Sequence, residues 1–203
     1  MRRSWGAGEM DRAPALSISP RLESRRKKLL EGFPAKGWRK LAENPRTEGT
    51  VKQRRVGMDI TWVTDRIGVG GGIWNADNMA SVSRAGITHI IDMQIEFDDT
   101  PLAKAHGIAV CWNPVDDDFE PKSEEVFARG VEFALAALEE EGAKLLVHCA
   151  AGVHRAPMMT LALLGVMGWS MEDAMDLIER RRPAADFAEV YVRSVERFLN
   201  GRS

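Results

Sequence analysis

The residues best able to do chemistry stand in one stretch, Leu145-Leu146-Val147-His148-Cys149-Ala150-Ala151-Gly152-Val153-His154-Arg155-Ala156-Pro157. An apolar run ends in a cysteine, five residues intervene, and an arginine opens a helical pattern. This is the spacing an anion-binding loop needs. Backbone N–H groups of residues 150–155 can turn inward as a nest, and a helix N-terminus adds its partial positive charge. Gly152 supplies the backbone freedom of the tight turn. Arg155 offers a planar fork for two oxygens of one anion, which lysine does not copy. The same field stabilises a thiolate, making Cys149 a nucleophile. A cysteine ahead of a helix is ordinarily inert packing. Here strand, histidine, glycine, arginine and helix all agree.

The elements that must position this loop are legible along the chain. Ile60–Val63 and Arg66–Val69 are β-rich runs around Thr64-Asp65, read as a hairpin-like start. A helix is expected over Asn75–Arg84, closed by Gly86, and apolar strands over Ile87–Met93 and Ile108–Val115. Ser123–Glu141 carries the apolar spacing of a long amphipathic helix. Lys144–His148 is short and apolar, as a central strand covered on both faces would be. Beyond the loop come helices from Arg155 to Met167, from a capping box at Ser170-Met-Glu-Asp173 to Pro183, and from Phe187 to Leu199. Strands alternating with helices predict an α/β fold, a central and mostly parallel sheet flanked by helices.

Bulk properties bound the rest. The net charge of −2 hides an asymmetry: residues 1–57 hold 15 Lys+Arg against 6 Asp+Glu, and residues 58–203 hold 13 against 24. A basic, flexible N-terminal extension of 1–57 before a domain of 58–203 is therefore expected. Arg21–Leu30 has the pattern of a short basic helix within it, and Arg25-Arg26-Lys27-Lys28 is suited to an acidic partner. Nucleic acid is not an expected partner. Met1-Arg2-Arg3 is followed by polar residues rather than a leader's apolar core, and no apolar run reaches membrane-spanning length. Two cysteines, Cys111 and Cys149, make no disulfide framework, so a reducing, cytoplasmic setting is expected. The four histidines (His89, His106, His148 and His154) are scattered, without metal-ligand spacing.

At His148, Cys149, Gly152 and Arg155 the chain resembles the protein tyrosine phosphatase superfamily, whose signature is His-Cys-x5-Arg. Ile60-Thr-Trp-Val-Thr-Asp-Arg-Ile-Gly-Val-Gly-Gly71 and Gly86-Ile-Thr-His-Ile-Ile-Asp92 make the domain similar to the compact dual-specificity branch. The resemblance implies that Cys149 attacks phosphorus while an aspartic acid protonates the leaving oxygen, then serves as base toward water. That acid lies in Pro114-Val115-Asp116-Asp117-Asp118, where relatives favour the second acid, so Asp117 leads, then Asp116 and Asp118. The other two acids solvate the loop or open the next helix. By the same resemblance His148 orients the loop and tunes the thiolate. Residues Ala150, Ala151, Gly152, Val153, His154 and Arg155 bind the phosphate, and neither metal nor cofactor is needed.

The implied substrate is a phosphorylated protein, at phosphotyrosine and also phosphoserine or phosphothreonine. A phosphoinositide or RNA end, or a weakly active phosphate-binding scaffold, are the readings that stay open. One departure matters: the family's Ser or Thr directly after the arginine is Ala156 here. Slow breakdown of a phosphocysteine follows from it. Arg180-Arg181-Arg182 either complements a helix C-terminus or contacts a second phosphate.

Overall fold

The computed structural model describes residues 19–32 and 57–201. The remaining parts of the expected extension, residues 1–18 and 33–56, lie outside the described residues.

Five strands form one sheet: β1 (Ile60–Trp62), β2 (Ile67–Gly70), β3 (His89–Asp92), β4 (Ala109–Trp112) and β5 (Leu145–His148). Their order is β1-β2-β5-β3-β4. Only β1 runs antiparallel, turning into β2 through the expected hairpin. The other pairings are parallel. The central strand is β5, and all four of its residues are buried. Its alternation divides the core, with Leu145 and Val147 facing one apolar cluster and Leu146 the other. Ile91 and Ile90 of β3 divide in the same way, as the two-residue period of a strand requires. The strand expected over Ile108–Val115 is shorter, because Pro114 has no N–H to offer the ladder.

The helices are α1 (Pro20–Gly32), α2 (Ala76–Arg84), α3 (Thr100–Lys104), α4 (Glu124–Leu138), α5 (Arg155–Val166), α6 (Met171–Arg181) and α7 (Glu189–Asn200). Short α3 was not legible in the sequence. Met79 and Val82 of α2 and Ala103 of α3 pack on one face of the sheet, and α4, α5, α6 and α7 contribute to the cluster on the other. Caps set the starts: Asn75 accepts from Asn78 N–H at 2.9 Å, and Ser170 accepts from Asp173 N–H at 3.1 Å. All twelve residues of α5 are buried, so it runs through the core directly behind the loop. Pro157 is tolerated there because the first-turn N–H groups of a helix have no partner within it.

The basic helix α1 lies on the domain. Leu22 is buried, and Arg26 Nε donates to the Val166 carbonyl at 2.7 Å, at the negative end of α5. Arg21 meets Glu132 of α4, and both Arg25 and Lys28 meet Glu139, the residue just past the end of α4, so two acids answer three cations of α1.

Candidate active site

The loop of residues 149–154 joins the C-terminal end of β5 to the N-terminus of α5, where open α/β sheets place ligands. The carbonyl groups of residues 150–153 are bound from outside the loop. Gly72 N–H donates to Ala150 O at 2.9 Å, and Asp186 N–H to Val153 O at 2.9 Å. Arg182 donates to Gly152 O at 2.6 Å and to Ala151 O at 3.2 Å. With the carbonyls turned outward, the N–H groups are left to face the centre, which is the electrostatics an anion requires. Gly152 N–H donates to Cys149 Sγ at 3.2 Å. Gly152 itself has φ +65 and approaches the Gly70 carbonyl so closely that a Cβ there would lie 2.5 Å from the oxygen.

Arg182 corrects one expectation. It is buried rather than offered to a second phosphate, and besides the loop carbonyls it holds Asp59, with Nη2 to Oδ2 at 2.6 Å. It thus ties the loop to the residue ahead of β1. Its neighbour Arg180 pairs with Asp176 at 2.9 Å along α6.

Arg155 is buried and gripped end-on by Glu96, Nη2 to Oε1 at 2.8 Å and Nη1 to Oε2 at 3.0 Å. Nη1 also donates to the Val115 carbonyl at 3.0 Å. Burial pulls the guanidinium down, but the Glu96 bonds and the charges of Cys149, Glu96 and Asp117 outweigh it and hold Arg155 above the ordinary arginine range. The hydrogen bond from Arg155 holds Glu96 below the usual carboxylate range. What stays uncommitted is the other edge of the fork: Nε has no hydrogen-bond partner. That edge suits two oxygens of a phosphate. The sequence reading missed Glu96. The available signal was an acid four residues beyond Asp92, at the C-terminal edge of a parallel strand.

Asp117 is brought to the same place, 3.7 Å from Arg155 Nε. Its Oδ2 lies 3.1 Å from His154 Nδ1, and its Oδ1 accepts from the Tyr191 hydroxyl at 3.0 Å. Asp116 is exposed. Asp118 instead accepts from Glu120 N–H at 2.9 Å and pairs with Lys122, shaping the loop.

His148 lies behind the loop, fully buried, with Nε2 2.8 Å from Asp99 Oδ2 and 3.6 Å from Asp92 Oδ1. Neither approach has the direction of a hydrogen bond. The sequence shows no metal-ligand spacing, yet the fold gathers Asp92, Asp99 and His148 with ligand atoms within 4.8 Å of one another. Among the described residues these three are the side chains able to hold a metal ion.

Burial, partly offset by His148, pushes the Asp92 carboxyl up to about 6 from its ordinary 3.8. The folded chain therefore binds this proton more tightly than the unfolded one. The stability it confers is complete at acid pH and lost as pH rises from 3.8 through about 6. The full span is worth on the order of 2–3 kcal/mol. Urea midpoints of wild type and Asp92→Asn at pH 4.5 and 7.0 check it. The wild-type decline should be larger than the variant's, and equal declines would remove Asp92 as its source.

This fold and this cysteine–arginine loop define a cysteine-dependent phosphatase fold. Residues 73–198 match the family described as dual specificity phosphatase, catalytic domain, and the chain belongs to that family. It is 31% identical over 116 residues to protein phosphatase Slingshot homolog 3 of Rattus norvegicus, covering 56% of this chain and 17% of that protein. Dual specificity protein phosphatase 5 of Homo sapiens is 27% identical over 113 residues, 55% of this chain and 28% of that protein. The chain thus spans less than a third of the length of these two relatives. Among solved structures, DUSP15 is similar at TM-score 0.60 and 26% identity, over 70% of this chain and 88% of that one. PTPMT1 in complex with PI(5)P shares the fold at TM-score 0.63 and 20% identity, over 70% and 95% of the two chains.

Proposed function

We propose that this chain hydrolyses phosphomonoesters of proteins, phosphotyrosine first and phosphoserine or phosphothreonine with it, through a phosphocysteine. The observation that carries the reading is the loop with its carbonyls turned out, Cys149 at its base and the free edge of Arg155 beside it. Cys149 Sγ forms a bond to phosphorus as the bond to the leaving oxygen breaks, and Asp117 gives that oxygen its proton. Water then attacks phosphorus and loses a proton to Asp117, the S–P bond breaks, and phosphate and the thiolate are regenerated. Both cysteines are free thiols, and a thiol nucleophile needs a reducing compartment, so we place the reaction in the cytoplasm.

A highly charged inositol headgroup fits the site less well. The side chains around the loop are the carboxylates Glu96, Asp117 and Asp186, while the nearby Arg182 is committed to Asp59 and to the loop. The extra cations that a polyanion needs are not supplied by these residues.

Ala156 is buried at the first turn of α5, the position whose hydroxyl in the family assists departure of the thiolate. Without it the second step is slow, and phosphoenzyme accumulates. Rapid quenching with a radiolabelled phosphotyrosine peptide should show a burst close to one label per chain, on Cys149. Ala156→Ser should speed breakdown about ten- to a hundredfold, the effect of one charge-assisted hydrogen bond. Steady turnover without a burst would count against a rate-limiting second step. No label on Cys149 in Ala156→Ser or wild type, with phosphate still bound, would favour the scaffold.

A further inference from the structure

We propose that Tyr191 and an Asp186–His154 pair form a two-sided clamp that positions Asp117 for proton delivery, an inference that rests on reading Asp117 as the general acid. The clamp is assembled from three separated parts of the chain, and no motif contains it.

One side is Tyr191, the chain's one tyrosine, on α7 and buried. Its hydroxyl donates to Asp117 Oδ1 at 3.0 Å and accepts from Phe119 N–H at 2.9 Å. It therefore holds both the acid and the backbone two residues further on. Burial first, then the bond to Asp117, pushes the phenol up to about 12, so it remains a donor at neutral pH.

The other side is His154. Its Nδ1 lies 3.1 Å from Asp117 Oδ2 and its Nε2 lies 3.2 Å from Asp186 Oδ2. A neutral imidazole donates from one nitrogen and accepts at the other. With Nε2 as the donor to Asp186 Oδ2, Nδ1 presents its lone pair to Asp117 Oδ2. In its role as general acid Asp117 carries the proton of the first chemical step, and one held on Oδ2 points at Nδ1. Once Asp117 has delivered it, Tyr191 still holds Oδ1.

Phe119 shows that the loop is held rather than relaxed. Among the described residues it is the one non-glycine with positive φ, at 58°. Such a conformation is strained and persists where surroundings over-determine it. Its ring stacks on Tyr191 at 5.8 Å and meets His154 edge-on at 5.1 Å. His154 belongs to the loop, but these contacts run through its ring and not through the backbone N–H groups, so Tyr191 and Asp186 act on Asp117.

Leaving-group dependence separates positioning from folding. A 2,4-dinitrophenyl ester hardly needs an acid, whereas phenyl phosphate does. Asp117→Asn should lower kcat on phenyl phosphate about a hundredfold and on the dinitrophenyl ester about twofold or less. Tyr191→Phe and Asp186→Asn should each show the same split on a smaller scale, about tenfold against twofold, with KM unchanged. Asp186→Glu should restore most of the loss. Asp186 is exposed, its side chain 66% accessible, so its variants keep the fold even if Tyr191→Phe loosens α7. If Asp117→Asn shows the split but Tyr191→Phe and Asp186→Asn lose both substrates equally, or neither, the clamp is wrong and the acid stands. If Asp117→Asn shows no split, the acid assignment falls and takes the clamp with it.

Discussion

Cys149→Ser is expected to hydrolyse phenyl phosphate at least about 10^4-fold more slowly than wild type, the scale on which removing a nucleophile acts. The substitution changes one buried atom, and the cradle around it is built by other groups. Gly72, Asp186 and Arg182 still hold the loop carbonyls outward, and Glu96 still holds Arg155. Binding of inorganic phosphate should therefore survive within a few-fold, and the unfolding midpoint should hardly move. The serine hydroxyl is not ionised at neutral pH, and among the described residues the hydrogen bond Sγ receives is from Gly152 N–H, not from a base. Retained turnover in Cys149→Ser would mean that water attacks phosphorus directly and would overturn the covalent route. Lost turnover together with lost phosphate binding would instead show that the sulfur organises the loop.

Gly152→Ala should be the most damaging single methyl group in the loop, for two independent reasons. At φ +65 a side chain is strained by about 1 kcal/mol before any contact is counted. The added Cβ would also lie 2.5 Å from the Gly70 carbonyl oxygen and against the Arg182 guanidinium. Gly70 ends a buried strand paired with β5, so it cannot withdraw cheaply. Arg182 is fixed by Asp59 and by Gly152's own carbonyl. A loss of about 3 kcal/mol or more in stability is expected, with phosphate affinity falling at least tenfold because the N–H groups no longer converge. Chemical unfolding and phosphate titration measure the two separately. A Gly152→Ala protein as stable as wild type would show that the positive φ and the close approach are not maintained in solution.

How far the sequence carried depends on the range of the signal. Leu145–His148 reads as a buried central strand because Leu145, Leu146 and Val147 are apolar in succession, and β5 is the central, fully buried strand. The capping box at Ser170 and the hairpin around Thr64-Asp65 are local chemistry, and both appear where they were read. The Cys149-x5-Arg155 spacing is local too, since five residues bridge a strand end and a helix start in only a few ways. Asp117, chosen among three adjacent acids by resemblance, is the one placed beside Arg155.

What the sequence did not show are partnerships across long separations. Glu96 meets Arg155 59 residues away, Tyr191 meets Asp117 across 74, and Arg182 meets Asp59 across 123. Arg182 sits in a run of three arginines that alone resembles a solvated helix end. Only the packing of α6 against α5 turns this one inward. The histidine–carboxylate cluster of Asp92, Asp99 and His148 escaped notice for the same reason, as did the docking of α1 on Glu132 and Glu139. The sequence by itself pointed to the cysteine–arginine loop, its tight turn and most of the strands and helices along the chain, because each depends on residues a few positions apart. The tertiary structure decided which carboxylate holds Arg155, which arginine braces the loop and what surrounds Asp117. Those contacts exist only after parallel strands and their covering helices have brought distant segments to one edge of the sheet.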